Sequence, residues 1–341
     1  MLVKTSQKIL IVRLSALGDI IHSSAVLPFI KKAIPGIQID WLVEVQFQQI
    51  LENNPYIRHI HTVDLKQFKR NKNFINFQKV LLQLNKIRME YKYDLIIDMQ
   101  GLLKSSLISR YISNKVHGFS WNSAKEGFCS LFYNSTTKIS YSENKIWRNF
   151  ALVNDALNLD FKEEDILKKR PHLFCMNSFP KAKGQIIFVI GSSMDQKNYP
   201  KEKFLELARE LDKPISIVWG NEKEFEIAEW IANKTGNAIV APKLSLNQLK
   251  HYVLSSDLVI GNDTGPTHLA WAMNVPSIVL FGMTPIEQMI ETNINKYLKS
   301  ESEVDPEDLD KDDYSICDIE VGDVVKLALQ LLEKEERNIT H

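Results

Sequence analysis

A polar turn, Gly261-Asn-Asp-Thr-Gly-Pro266, separates the apolar run Leu258 to Ile260 from a helix-like run that begins at Thr267. Asp263 or Thr264 fits the N-cap position and Pro266 the first helical position. The free N–H groups of such a helix start attract anions, phosphate above all. A carboxylate and a hydroxyl beside them suit sugar hydroxyls. The combination reads as half of a nucleotide-sugar site.

Two further loops carry compatible groups. Gly191-Ser-Ser-Met-Asp-Gln-Lys-Asn-Tyr-Pro200 offers hydroxyls at Ser192 and Ser193 and a cation at Lys197, all suited to a diphosphate. Glu222, in Trp219-Gly-Asn-Glu-Lys-Glu224, can accept hydrogen bonds from ribose hydroxyls. Near the N-terminus, Lys8-Ile-Leu-Ile-Val-Arg-Leu14 leads into Ser15-Ala-Leu-Gly-Asp-Ile-Ile-His22. Asp19 has two readings there. It is a first-turn acid that steadies the positive helix end, or a general base that the same field keeps ionised. His22 reads as a packed or hydrogen-bonded histidine. Gly18 is the only glycine in this loop, so the Gly-x-Gly-x-x-Gly dinucleotide fingerprint is absent.

The elements that must position these groups alternate along the chain. Strands are expected at Lys8–Leu14, Gln38–Val43, His59–Val63 and Tyr93–Met99. Helices are expected over about Gly18–Ala33 and Phe74–Tyr91, and from Gly101. The pattern restarts at Gln185–Ile190 and continues through strands Pro214–Trp219, Ala238–Val240, Asp257–Ile260 and Ser277–Phe281. Its helices run over Lys201–Leu211 and Glu222–Lys234, after Ser245, and over Thr267–Met273. Continuous apolar strands separated by helices predict parallel sheets covered on both faces, an α/β fold. The expected units are residues 1–165 and 166–320, with a linker in Phe161–Gly184. The apolar spacing of Val321–Glu335 predicts a terminal helix that packs back on the first unit.

The chain has 341 residues, enough for two ordinary cores. Its 42 basic and 42 acidic side chains cancel, which argues against nucleic acid as the main partner. Cys129, Cys175 and Cys317 are far apart and lack metal-like spacing, as in a reducing, cytoplasmic setting. No apolar run reaches the length of a membrane span or resembles a signal peptide. The acidic stretch Glu301–Asp313 reads as a solvated loop.

Three segments resemble the bacterial lipopolysaccharide heptosyltransferases: Arg13 to His22, Tyr93-Asp-Leu-Ile-Ile-Asp-Met-Gln-Gly-Leu-Leu-Lys-Ser105, and Gly261 to Ala270. The resemblance runs from about Lys8 to the terminal helix. It implies a GT-B glycosyltransferase fold, two Rossmann-like domains facing a central cleft, with acceptor on the first and nucleotide sugar on the second. It further implies an inverting transfer of L-glycero-D-manno-heptose from ADP-heptose to the first Kdo of Kdo2-lipid A, with Asp19 as base. By motif, Ser192, Ser193, Lys197, Glu222, Leu244, Asp263, Thr264, Gly265 and His268 would hold the donor, Leu244 lining the adenine pocket. Threonines are usual in the family where this chain has Ser192 and Ser193.

No metal or other cofactor is expected. The Asp-x-Asp spacings, at Asp308, Asp310 and Asp312, lie in the acidic loop, and a lysine with a helix start can take a metal's place. A basic stretch, Arg58 to Lys72, precedes Phe74 and Phe77. Its plain reading is a solvated face; its sharper reading is a cationic surface for the acidic acceptor, through Lys66, Lys69, Arg70 and Lys72. Lys104, Lys125 and Arg148 join them by the family pattern alone. Phe74, Phe77, Trp121 and Phe128 read first as core and second as contacts to the cytoplasmic face of the inner membrane. The chain is expected to act as a monomer. The alternatives are a transferase adding the second heptose, a nucleotide-sugar epimerase, and a non-catalytic nucleotide-sugar-binding protein.

Overall fold

The structure, a computed structural model, describes residues 7–70, 74–176, 185–306 and 308–339. The chain divides into two compact units after His172. Each unit holds one six-stranded, wholly parallel sheet.

The first sheet comprises β1 (Lys8–Val12), β2 (Gln38–Glu44), β3 (His59–Val63), β4 (Leu95–Asp98), β5 (Val116–Phe119) and β6 (Ser135–Thr137). Its helices are α1 (Leu17–Ser23), α2 (Val26–Ala33), α3 (Gln48–Leu51), α4 (Leu65–Arg70), α5 (Phe74–Glu90), α6 (Leu103–Ile112), α7 (Lys145–Leu157) and α8 (Glu163–Ile166). The second sheet comprises β7 (Ile186–Val189), β8 (Ile215–Val218), β9 (Ala238–Val240), β10 (Leu258–Asn262), β11 (Ser277–Phe281) and β12 (Asn295–Lys299). Its helices are α9 (Lys201–Leu211), α10 (Glu222–Ala232), α11 (Leu246–Ser255), α12 (Gly265–Met273) and α13 (Val321–Ile339).

Ile9 to Val12 of β1, all of β7 and Ile278 to Phe281 of β11 are buried, which is why these segments read as unbroken apolar runs. The alternation expected from sequence therefore holds for the inner strands. The long first helix does not: it breaks into α1 and α2 around Ser24 and Ala25. Three strands have no counterpart in the sequence reading: β5, β6 and β12.

Strand order decides where ligands can bind. The first sheet runs β3-β2-β1-β4-β5-β6 and the second β12-β11-β10-β7-β8-β9. Chain progression thus reverses between β1 and β4 in one unit and between β7 and β10 in the other. At such switch points the loops beyond the strands' carboxyl ends splay apart and leave a crevice.

Two boundaries differ from expectation. The division falls after His172, where Leu173 begins the second unit, within the expected linker of 161–184 but past the expected end of the first unit at 165. The terminal helix joins the core of the second unit, with Val321, Val324, Ala328 and Leu331 buried among Phe204, Leu207 and Ile316. This corrects its expected return to the first unit, because the second sheet uses its apolar face.

Candidate active site

In the first unit the loop after β1 is braced by the loop after β4, its neighbour across the switch point. Gln100 Oε1 accepts hydrogen bonds from the Leu14 and Ser15 N–H groups at 2.9 and 3.1 Å. The Arg13 guanidinium donates to the Met99 carbonyl and pairs with Asp19 Oδ2 at 2.8 Å. Asp19 stands in the first turn of α1, and the same Oδ2 accepts the Ala16 N–H at 3.1 Å. It is therefore both a first-turn acid and a partly exposed carboxylate, its side chain 28% accessible. Burial works to raise its pKa, but Arg13, then Lys145, the Ala16 N–H and His22, bring it down to about 2. Asp19 is an anion at any ordinary pH. His22 is buried, in line with a packed role.

Asp98 fixes the bracing loop. Its Oδ1 accepts the Gln100 N–H at 2.9 Å and its Oδ2 the Tyr133 hydroxyl at 2.9 Å. Burial pushes its pKa up to about 6, against the hydrogen bonds from Ser105, Tyr133, Gln100 and Gly101. Asp98 and Gln100 lay inside a family-like segment, yet spacing alone did not single them out as supports.

In the second unit the loops after β7 and β10 meet. Lys197, at the end of a short 3-10 turn, lies 2.5 Å from Asp263 Oδ2, and His268 Nε2 lies 2.8 Å from Asp263 Oδ1. Asp263 and His268 are buried, and Lys197 is nearly so. Burial works to raise the Asp263 pKa, yet the Lys197 charge and the His268 hydrogen bond hold it far below the carboxylate range. Asn262 ties the two loops together. It accepts the Tyr199 N–H at 3.0 Å and donates to the Ile190 carbonyl at 2.8 Å. Sequence reasoning passed over it, although it stands inside the most conspicuous turn. A Cβ at Gly261 would lie 2.5 Å from Val189 Cβ and 2.8 Å from Thr267 Oγ1, so only glycine lets these strands and α12 close up.

Thr264 is the N-cap of α12 and is extended; its side chain makes no capping hydrogen bond. At the start of this nine-residue helix Pro266 has no N–H, and Thr267 and His268 give theirs to the Thr264 carbonyl at 3.1 and 3.2 Å, which leaves the Gly265 N–H for another acceptor. Ser192 hydrogen-bonds to the Met194 carbonyl at 2.7 Å, and Ser193 is exposed. Leu244, half-buried, precedes the Ser245 cap of α11 on the loop after β9.

The acid that reaches the β7 loop is Glu224. Its carboxylate accepts the Gly220 N–H at 2.6 Å and an Asn221 amide hydrogen at 2.7 Å, and it occupies the space a side chain at Gly191 would fill. Glu222 is exposed at the first position of α10 and is not brought to that turn. Two residues along a helix lie about 200° apart, so the two acids point different ways and Glu224 is the one turned to the β7 loop.

The basic candidates separate. Lys66 is exposed and donates to Gln46 Oε1 at 2.9 Å, while Lys104 and Lys125 are exposed on α6 and in the loop after β5. Glu44, buried at the end of β2, sits in the field of Lys104 and accepts the Lys66 N–H; burial still raises its pKa. Lys69 and Arg70 lie on α4, but their side chains fall outside the described residues, as does all of Lys72. Arg148 is a correction. It is buried, donates to the Ser140 and Ser123 carbonyls and stacks on Phe119 and Tyr141 at 4.8 and 5.0 Å. Its guanidinium braces these carbonyls and rings and is shielded from solvent, unlike the exposed lysines. Trp121, Phe128 and Phe77 are exposed and are not core residues; the Phe74 side chain lies outside the described residues. Among the described residues no three His, Cys, Asp or Glu side chains gather as a metal ion requires, and no helix is long and apolar enough to cross a membrane.

The model of glycosyltransferase family 9 (heptosyltransferase) matches residues 82–305, which span both switch-point loops of the second unit. The chain is 39% identical to a lipopolysaccharide heptosyltransferase 1 of Campylobacter coli, over 96% of this chain and all of that protein. The chain belongs to glycosyltransferase family 9. A heptosyltransferase 1 of Pseudomonas aeruginosa is 31% identical, over 81% of this chain and 79% of its own length. Among solved structures, E. coli heptosyltransferase WaaC with ADP superposes with a TM-score of 0.82, covering 95% of this chain and all of that one at 24% identity. The two parallel six-stranded sheets are thus those of the GT-B class, and the family 9 chain is a glycosyltransferase enzyme.

Proposed function

We propose that this chain transfers L-glycero-D-manno-heptose from ADP-heptose to the first Kdo of Kdo2-lipid A, inverting the anomeric centre, in assembly of the lipopolysaccharide inner core. The observation that carries the donor half is the Lys197–Asp263–His268 cluster beside the start of α12, at the β7/β10 switch point. The Campylobacter coli and Pseudomonas aeruginosa relatives, named lipopolysaccharide heptosyltransferase 1, support the choice of sugar and acceptor.

The chemistry follows from the charges. An acceptor hydroxyl attacks the anomeric carbon from the face opposite the diphosphate, and the ADP leaving group gains negative charge. Lys197 spends one N–H on Asp263 and keeps two for phosphate oxygens. The start of α12 adds its positive end and the Gly265 N–H, with Ser192, Ser193 and Thr264 alongside. Asp263 and His268 hold Lys197 in position, while Glu224 binds the ribose and Leu244 lines the adenine. This arrangement works without a metal.

Both contacts on Asp19 fall on Oδ2, which leaves Oδ1 to receive the acceptor's proton. A carboxylate with a pKa of about 2 is too weak a base to strip a resting alcohol. The proton therefore moves late, once the forming C–O bond has made the hydroxyl acidic. Lys66 and Lys104, with Lys69, Arg70, Lys72 and Lys125, would meet the acidic groups of the acceptor. The setting is the cytoplasmic face of the inner membrane, and the enzyme works as a monomer.

The test is mass spectrometry of products from ADP-heptose with Kdo2-lipid A and, separately, with the singly heptosylated core. Addition of one heptose to Kdo2-lipid A is expected. Transfer only to the heptosylated core would reassign the acceptor to the second step.

A further inference from the structure

The first unit exposes large apolar side chains that its core does not use. Leu103 and Leu107 stand four residues apart on the outer face of α6, 40% and 46% exposed. The 3-10 turn Gly127–Phe132 packs against α6. In a 3-10 turn residues three apart eclipse, so its Phe128 and Leu131 share one side, 63% and 71% exposed. Trp121 stacks edge-on against Phe128 at 4.6 Å and is itself exposed. These exposed apolar side chains, on two adjoining elements, make up the α6 ridge. A soluble surface gains nothing from such a ridge.

The charge around the ridge says what covers it. From Gly101 to Tyr133 the chain carries Lys104, Arg110, Lys115 and Lys125 against the single acid Glu126. The Glu126 carboxylate is spent on the Leu103 N–H at 2.7 Å. Tyr111 of α6 joins this surface to α5 through Asn85 at 2.5 Å. There the exposed Ile75, Leu82 and Met89 recur every seven residues and alternate along one stripe with Lys79 and Lys86. Apolar side chains ringed by cations, with a tryptophan among them, match the interface of an anionic bilayer.

We infer that the α6 ridge and its cationic rim dock the first unit on an anionic lipid bilayer. The placement deepens the transferase reading and rests on it for its purpose. α6 begins where β4 ends, and β4 pairs with β1, so the ridge starts on the same sheet edge as Asp19. An acceptor with its acyl chains in the bilayer would bring its sugar to that edge.

The experiment is co-sedimentation of the full chain with phosphatidylglycerol-rich vesicles and with neutral phosphatidylcholine vesicles, for wild type and for Phe128→Ser/Leu131→Ser. Leu107→Ser, on α6, serves should the double variant unfold. Wild type is expected to bind the anionic vesicles, and the variants to bind at least about tenfold less, the loss of two apolar anchors. The variants should keep wild-type transfer to a water-soluble, deacylated acceptor and lose it only with bilayer-embedded acceptor. Equal vesicle binding by wild type and variants, or none by wild type, overturns the inference. So does a ridge-dependent dimer in sedimentation without vesicle binding. Ridge-dependent vesicle binding by a protein that transfers to no acceptor would leave the surface standing and remove the transferase reading instead.

Discussion

Lys197 and Asp263 meet at 2.5 Å across the β7/β10 switch point, one from each of the two loops that bound the crevice. The pair gives a buried carboxylate its counter-charge and a lysine its position. Breaking it from the lysine side strands Asp263 in the interior. Lys197→Ala is expected to cost about 3 kcal/mol of stability and to lower transfer by roughly 10²-fold or more. In Lys197→Ala/Asp263→Asn the stability should return while the activity does not. Thermal melts and steady-state rates on the three proteins separate the two effects.

Arg13 sets the charge of Asp19. With its pKa at about 2, Asp19 keeps its proton-accepting form throughout the working range, and its acid limb lies below it. Arg13→Gln removes the strongest influence that lowers this pKa, so the limb should climb towards the ordinary carboxylate range. A pH profile of kcat/KM for wild type and variant reads this directly. An unmoved limb would mean that Asp19 is not the group whose ionisation the reaction needs.

Asp98 makes the opposite contribution to stability. Its folded pKa of about 6 lies above the ordinary 3.8, so the folded state holds the extra proton between those values. The stabilisation is full below about pH 4 and is lost as pH rises through about 6. Asp98→Asn should flatten that slope in denaturant titrations at pH 4, 6 and 8. A slope unchanged in the variant would place its origin elsewhere.

Gln100→Ala removes the acceptor of the Leu14 and Ser15 N–H groups and so loosens the loop that presents Asp19. The expected signature is a kcat lower by about tenfold with the KM for the donor unchanged, since the donor site is on the other unit. For the donor, Glu224→Gln should raise KM while Glu222→Gln leaves it near wild type. Activity should persist in EDTA, because Lys197 and the start of α12 supply the positive charge.

The alternation of buried strands and helices was legible because parallel strands covered on both faces must be apolar throughout. β6, Ser135-Thr-Thr, and β12, Asn295-Lys-Tyr-Leu-Lys, are edge strands with polar or mixed sequences, and β5 interrupts its apolar residues with His117 and Gly118. They escaped the same test for that reason. Loop chemistry was legible in kind but not in aim. Lys197, Asp263 and His268 converge, whereas the helical phase turned the acid to Glu224, and a cage of carbonyls and rings absorbed Arg148. A charge in sequence does not say whether it faces water, a ligand or a neighbouring carbonyl. The apolar face of α13 was equally visible, but nothing in its spacing named the sheet it covers.

The most direct measurement compares wild type with Asp19→Asn on ADP-heptose and Kdo2-lipid A, following heptose transfer by mass spectrometry and ADP-heptose binding by calorimetry. Asparagine keeps the shape and can still accept the Ala16 N–H, but it cannot take a proton. The expected result is donor binding within about twofold of wild type and transfer reduced by roughly 10²-fold or more. Transfer at the wild-type rate by a folded Asp19→Asn protein would contradict the assignment of Asp19 as the base.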